Sequence, residues 1–264
     1  MRLKTLALAA MTLAASAATA TADTVVLIQG YLGSAGSWRG TGIAAVMHDA
    51  GWRDGGHLSV APGGVIQPLP GEPGGNRFVT VDLPTEAPAV VQSEVLGSYI
   101  AAIRRAQPKE PIVLVGHSAG GVVARLFMVR HPDAGITGLV TIAAPHLGTS
   151  SAEMGSFVGS TPLSWVAPFM GLNTINRSQV LYHDLWRERP SNLLGWLNRV
   201  PHPKAKYVSV IRVGDDWVNG YSQDMNLVPA LRGSARTVVT PGGHGLRPAD
   251  GALLADILRA MATG

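Results

Sequence analysis

The sequence predicts an α/β protein: a mostly parallel β-sheet flanked by helices, with an inserted helical cap. Three observations predict it. Runs of four or five apolar residues recur without polar alternation, which is the pattern of strands buried on both faces. Between several of them lie segments with apolar residues at helical spacing. The chain has 264 residues, 46% of them hydrophobic and 14% charged. That suffices for one large domain with its own core and is too apolar for a disordered chain.

Residues 1–22 read as a signal peptide rather than as part of the fold. Met1 to Lys4 form a short positive region, an alanine-rich apolar stretch follows, and Ala20-Thr21-Ala22 has the small-x-small form of a cleavage site. Ala18-Thr19-Ala20 is nearly as good. The apolar stretch is too short to span a membrane comfortably. The expected location is therefore secreted or periplasmic, with a mature chain over residues 23–264.

The mature chain opens on a strand, residues 24–28, ended by Gly30. Residues 40–51 read as a helix. Residues 55–76 hold seven Gly and four Pro, and predict an irregular loop. A second strand covers 78–81 and is stopped by Pro84. Over 87–106, Val91, Val95, Tyr99 and Ile103 fall on one helical stripe. A strand at 112–115, a helix at 119–131 and a strand at 139–142 follow. Strands at 208–211 and 237–239 and a helix at about 249–262 close the chain. Residues 150–204 break the alternation. They carry Phe157, Trp165, Phe169, Trp186 and Trp196 with several Gly and Pro, and they predict the cap. The alternative is a set of extra helices packed on the same sheet.

Composition excludes several function classes. There is no cysteine, so disulfides, thiolate metal sites and a cysteine nucleophile are ruled out. The formal charge of +4 falls to +2 without Arg2 and Lys4 of the leader, and no basic run points to nucleic acid. No metal-binding or nucleotide-binding motif is present. Asp224 and Asn226 are two oxygen ligands at most, too few for a calcium site. No cofactor is expected.

The chemistry centres on Gly116-His117-Ser118-Ala119-Gly120, a G-x-S-x-G sequence. It follows the apolar strand 112–115 and precedes a helix, the strand–turn–helix context of a nucleophile elbow. The glycines flanking the serine leave room for a tight turn. Gly121 lets the helix pack closely.

With these residues the chain resembles the α/β-hydrolase family, and within it the secreted lipases and esterases of bacteria. IAAPHLGT at 142–149 is similar to the segment after the next strand in many lipases. LIQGYLGS at 27–34 is similar to the family's first oxyanion-hole loop, with Gln29-Gly30 where His-Gly is usual. The family carries more strands before this loop, so the resemblance implies a shortened sheet. It also implies a triad in the order Ser, acid, His. Ser118 is then the nucleophile. His244, after the last strand in Pro241-Gly242-Gly243-His244-Gly245, is the expected base, and His117 is expected to point into the fold. Asp215 matches the family's acid register after the strand before last, ahead of its neighbour Asp216 and the more distant Asp224. The expected oxyanion donors are the backbone N–H groups of Ala119 and Tyr31. His146, Trp165 and Phe169 are expected to contact substrate.

The function these residues imply is hydrolysis of carboxylic, lipid or acyl, esters through an acyl-enzyme. The expected protein is a monomer that touches lipid interfaces transiently and does not bind nucleic acid. Two alternatives stand beside it: an acyltransferase on the same scaffold, and a non-catalytic binding protein with the same fold.

Overall fold

A computed structural model describes residues 23–72, 74–150 and 178–263. The expected leader, and Phe157, Trp165 and Phe169 of the expected cap, lie outside the described residues.

Eight strands form one sheet in the order β3-β2-β4-β1-β5-β6-β7-β8. They are β1 (Thr24–Ile28), β2 (Arg53–Ala61), β3 (Gly64–Leu69), β4 (Arg77–Val81), β5 (Ile112–His117), β6 (Ile136–Ile142), β7 (Lys206–Arg212) and β8 (Ala235–Thr240). Every neighbouring pair is parallel except β2 and β3. The six strands read from the sequence are all present. The two additional strands correct the reading of 55–76 as an irregular loop and the expectation of a shortened sheet. That segment supplies most of β2 and all of β3, an antiparallel hairpin at the sheet edge.

Alternation along the central strands divides the core in two. Val26 and Ile28 of β1 and Ile112 and Leu114 of β5 face α3 (Ala89–Ala106) and α4 (Ala119–Arg130), where Leu96, Tyr99, Val123 and Leu126 are buried. Val25, Leu27, Val113 and Val115 face the other way, toward Trp38, Met47, Leu254 and Leu258. Those residues come from α1 (Ala35–Gly40), α2 (Ile43–Asp49) and the C-terminal helix Ala249–Thr263. Burial on both faces is why β1 and β5 contain no polar alternation. The helix expected over 40–51 is the shorter α2, which Gly42 starts in a left-handed conformation at φ +81°, and α1 just ahead of it was not foreseen.

Part of the expected cap belongs to this core. Residues 178–184 are helical, and a further helix spans Leu193–Leu197. Leu181, Leu185, Leu194 and Leu197 are buried in the cluster under α3 and α4. Trp186 and Trp196 remain partly exposed.

The nucleophile elbow is the tightest point of the fold. A methyl at Gly116 would lie 2.4 Å from Gly121 Cα, and one at Gly120 would lie 2.3 Å from the Gln29 carbonyl oxygen. Both obstacles are backbone and cannot rotate aside. Gly120→Ala is therefore expected to destabilise by about 1–3 kcal/mol. Gly63→Ala, where a methyl meets nothing within 4 Å, should leave the melting temperature unchanged. Thermal denaturation of the pair tests this; equal melting temperatures would contradict it.

Candidate active site

Ser118 stands between β5 and α4 with φ 53° and ψ −130°. Few residues other than glycine adopt this left-handed region, and holding one there costs about 1–3 kcal/mol. Here the turn is fixed on both sides: the Ser118 N–H donates to the Ile142 carbonyl (2.9 Å), and the Gly121 N–H donates to the Ser118 carbonyl (3.0 Å). The conformation lifts the side chain clear of the sheet at the C-terminal ends of the strands. Open α/β sheets bind ligands at that edge.

The same edge collects the other groups. Asp215 lies just after β7 and His244 just after β8. Ser118 Oγ lies 2.8 Å from His244 Nε2, and His244 Nδ1 lies 2.8 Å from Asp215 Oδ2. The Asp215 side chain is fully buried, yet its hydrogen-bonding capacity is used. Oδ1 accepts from the Trp217 and Val218 N–H groups at 2.8 and 3.0 Å. Oδ2 also accepts from Gln223 Nε2 at 3.2 Å. Four donors make burial of a carboxylate tolerable. Asp216 is exposed. Asp224 Oδ1 instead accepts from the Asn226 N–H and the Thr237 hydroxyl, fastening a turn to β8.

Of the residues expected to contact substrate, Trp165 and Phe169 lie outside the described residues. His146 is fully buried, with Nε2 3.0 Å from Thr141 Oγ1 and its carbonyl accepting from Asn198. It sits inside the protein, which corrects its reading as a pocket wall. Ala119 follows Ser118 at the start of α4, and Tyr31 lies in the loop after β1. A methyl at Gly30, next to Tyr31, would come within 3.3 Å of Ser118 Oγ. The loop is held by Gln29, whose amide donates to the Val81 carbonyl at 2.7 Å and accepts from the Leu83 N–H at 2.9 Å.

Three contacts around His244 and Asp215 were not foreseen from the sequence. Gln223 grips the acid as described, and its Oε1 accepts from the Arg212 N–H. Trp217 packs its ring on His244 at 4.8 Å between centroids. His117 is enclosed by the fold, as expected, and there it reaches the base: its Nε2 donates to the His244 carbonyl at 2.8 Å, and the two rings lie 5.0 Å apart. Only the position of His117 beside the nucleophile hinted at this. Gln223 and Trp217 give no local signal, because their partners are reached only after folding.

Among the described residues no cluster of His, Asp and Glu is suited to hold a metal, and no helix is long and apolar enough to cross a membrane.

A mostly parallel sheet, a strained serine at its central strand–helix turn, and a histidine and an aspartate following two later strands define an α/β-hydrolase. The chain belongs to the family described as the PGAP1-like alpha/beta domain, which it matches over residues 19–158. No curated protein matches its sequence. Solved structures share the fold at low identity. The mature form of a Bacillus licheniformis lipase superposes with a TM-score of 0.61 at 14% identity, covering 93% of this chain and 94% of that one. A Pyrococcus furiosus esterase gives 0.59 at 15%, covering 92% and 83%. A thermostable carboxyl esterase of Bacillus coagulans, in complex with glycerol, gives 0.57 at 11%, covering 92% and 91%.

Burial keeps three histidines neutral. His117 is pushed from 6.5 down to about 3, by burial first and then by the charge of His244. His202 is pushed down to about 4 by burial and by Arg125. His146 is also lowered, by burial and then by Arg125. The unfolded chain takes up protons as pH falls through 6.5 while the folded one does not, so stability must fall from there toward pH 4. Each histidine adds at most about 1.4 kcal/mol per pH unit. Melting temperatures should be level above pH 7 and fall progressively below 6.5, and His202→Asn should make that acid-side fall shallower. An unchanged slope in the variant would contradict the assignment.

Proposed function

We propose that this protein is an exported serine hydrolase of carboxylic esters, acting on lipid or other acyl substrates through an acyl-enzyme. The observation that carries the reading is the unbroken chain Ser118 Oγ, His244 Nε2, His244 Nδ1, Asp215 Oδ2, each hydrogen-bonded step 2.8 Å long.

In this reading the Ser118 hydroxyl attacks the ester carbonyl while His244 Nε2 takes its proton. His244 then returns that proton to the leaving alkoxide, and the alcohol departs. Water, deprotonated by the same nitrogen, attacks the acyl-enzyme; the bond from Ser118 Oγ to the acyl carbon breaks, His244 returns the proton to Ser118 Oγ, and the acid leaves. Asp215 accepts the Nδ1 proton in a hydrogen bond throughout, fixes the tautomer and stabilises the imidazolium. The negative charge on the tetrahedral intermediate falls to the N–H groups of Ala119 and Tyr31. The esterase and lipase relatives of the fold support ester chemistry. The aromatic-rich segment 150–204 is proposed to border the acyl site through Trp165 and Phe169. Residues 1–22 are proposed to direct export. The working form is proposed to be a monomer that meets lipid surfaces transiently.

A fluorophosphonate probe should label the native protein and fail on Ser118→Ala; labelling that survives would sink the reading. Asp215→Asn should lower kcat on p-nitrophenyl butyrate by about 10³–10⁴. Asp216→Asn should have little effect, and reversed effects would move the acid to Asp216. Product analysis with an added alcohol acceptor distinguishes hydrolysis from acyl transfer.

A further inference from the structure

The loop that follows β1 carries a second, hydroxyl-based anchor. Tyr31 is buried, and its phenol donates to Ser178 Oγ at 3.0 Å. The same phenol oxygen lies 2.5 Å from the Tyr182 hydroxyl, with the two rings edge-on at 5.4 Å between centroids. Three hydroxyls therefore cluster at one point, with the Tyr31 phenol bonded to both Ser178 and Tyr182. Burial and the Tyr31 hydroxyl hold the Tyr182 phenol above its ordinary range, so it stays protonated and remains a donor.

Ser178 and Tyr182 are four residues apart in the helical stretch 178–184, so both face one way. That stretch is itself anchored. Leu181 and Leu185 are buried in the core, and Asp184 accepts from the Ala89 N–H at the start of α3 (3.0 Å). On the other side, the chain at Tyr31 has little freedom. Gly30 lies against Ser118, Leu32 is left-handed at φ 55°, and the Gly33 N–H returns to the Gly30 carbonyl. A rigid post on one side and a constrained loop on the other leave the Tyr31 side chain as the strut between them.

We propose that this hydroxyl cluster sets the position of the Tyr31 backbone N–H relative to Ser118, making Tyr31, Ser178 and Tyr182 positioning residues for the oxyanion. The proposal rests on the serine-hydrolase reading above. In this proposal the cluster makes no contact with the substrate. It acts through the loop, on a charge that exists only in the tetrahedral state, so its loss shows in kcat rather than in KM.

The test uses the full mature chain and the variants Tyr31→Phe, Ser178→Ala and Tyr182→Phe. Each is assayed on soluble p-nitrophenyl butyrate and for inhibition by a trifluoromethyl ketone, which forms a tetrahedral adduct. Tyr31→Phe keeps the ring and its packing and should lower kcat about 10–100-fold, the scale of a small misplacement. KM should change less than about threefold. Inhibitor affinity should weaken in step with kcat/KM across the three variants. Unchanged kcat in Tyr31→Phe, or inhibitor affinity that does not follow kcat/KM, overturns the proposal. If Tyr31→Phe fails to fold, Tyr182→Phe and Ser178→Ala decide by the same criteria. A native protein that neither turns over the ester nor is labelled at Ser118 overturns the hydrolase reading, and the positioning role with it.

Discussion

The left-handed turn at Ser118 is the constraint on which the rest of the site depends. A serine held at φ 53° stores strain that the surroundings must offset. They do so by close approach. Gly116 lets α4 return against β5, Gly120 lets α4 meet the end of β1, and Gly121 fits beneath Ala144 of the segment after β6. Three neighbouring strands thus meet at one short turn. The geometry of the serine is set by the whole centre of the sheet and not by the loop that bears it.

The histidine and the acid come from loops, which are ordinarily less fixed. Their precision has another source. At the end of β7, Arg212 is almost wholly buried and pairs with Asp250 in the first turn of the C-terminal helix, while bonding to Thr240 at the end of β8. The pair brackets the two segments that carry Asp215 and His244. A buried ion pair adds little net stability over an apolar substitute, but losing one partner is expensive. Its effect here is geometric: it fixes where the two loops begin and end. Gln223 then fixes the carboxylate between them.

The parts of the fold that were legible in the sequence are those whose local pattern has one meaning. Parallel strands covered on both faces are continuous apolar runs, so β1, β4, β5, β6 and β7 could be read directly, and the edge strand β8 was marked by its Thr237-Val238-Val239 run. The β2–β3 hairpin could not. Its Gly and Pro content signals a loop, yet here those residues serve an edge: Gly56 and Gly64 are left-handed at φ +88° and +120°, and a register shift lies between His57 and Ser59. Pro68 is tolerated because β3 has a free side. Ser118, Asp215 and His244 were singled out by the resemblance and by their places after strands, and the fold brings them within hydrogen-bonding distance. Gln223, Trp217, Ser178 and Tyr182 were not, since each matters through a partner that only the folded chain brings near. The aspect of Tyr31 visible in sequence was its place in the loop. Its phenol, bonded to residues some 150 positions away, was not.

The two ends of the sheet do different work. At the C-terminal end the chain leaves β1, β5, β7 and β8 into the loops that hold Tyr31, Ser118, Asp215 and His244. At the N-terminal end the strands are knitted together by polar contacts of another kind. Arg77 of β4 pairs with Glu110 before β5, and both reach the hydroxyl of Thr24 in β1. Three adjacent strands are thereby joined at their starts, with Arg77 almost wholly buried. The polar knot around Thr24 lies a full strand length from the serine, so the start of the central strands is fixed by side-chain hydrogen bonds and their far end by the close backbone approach at Gly116 and Gly120.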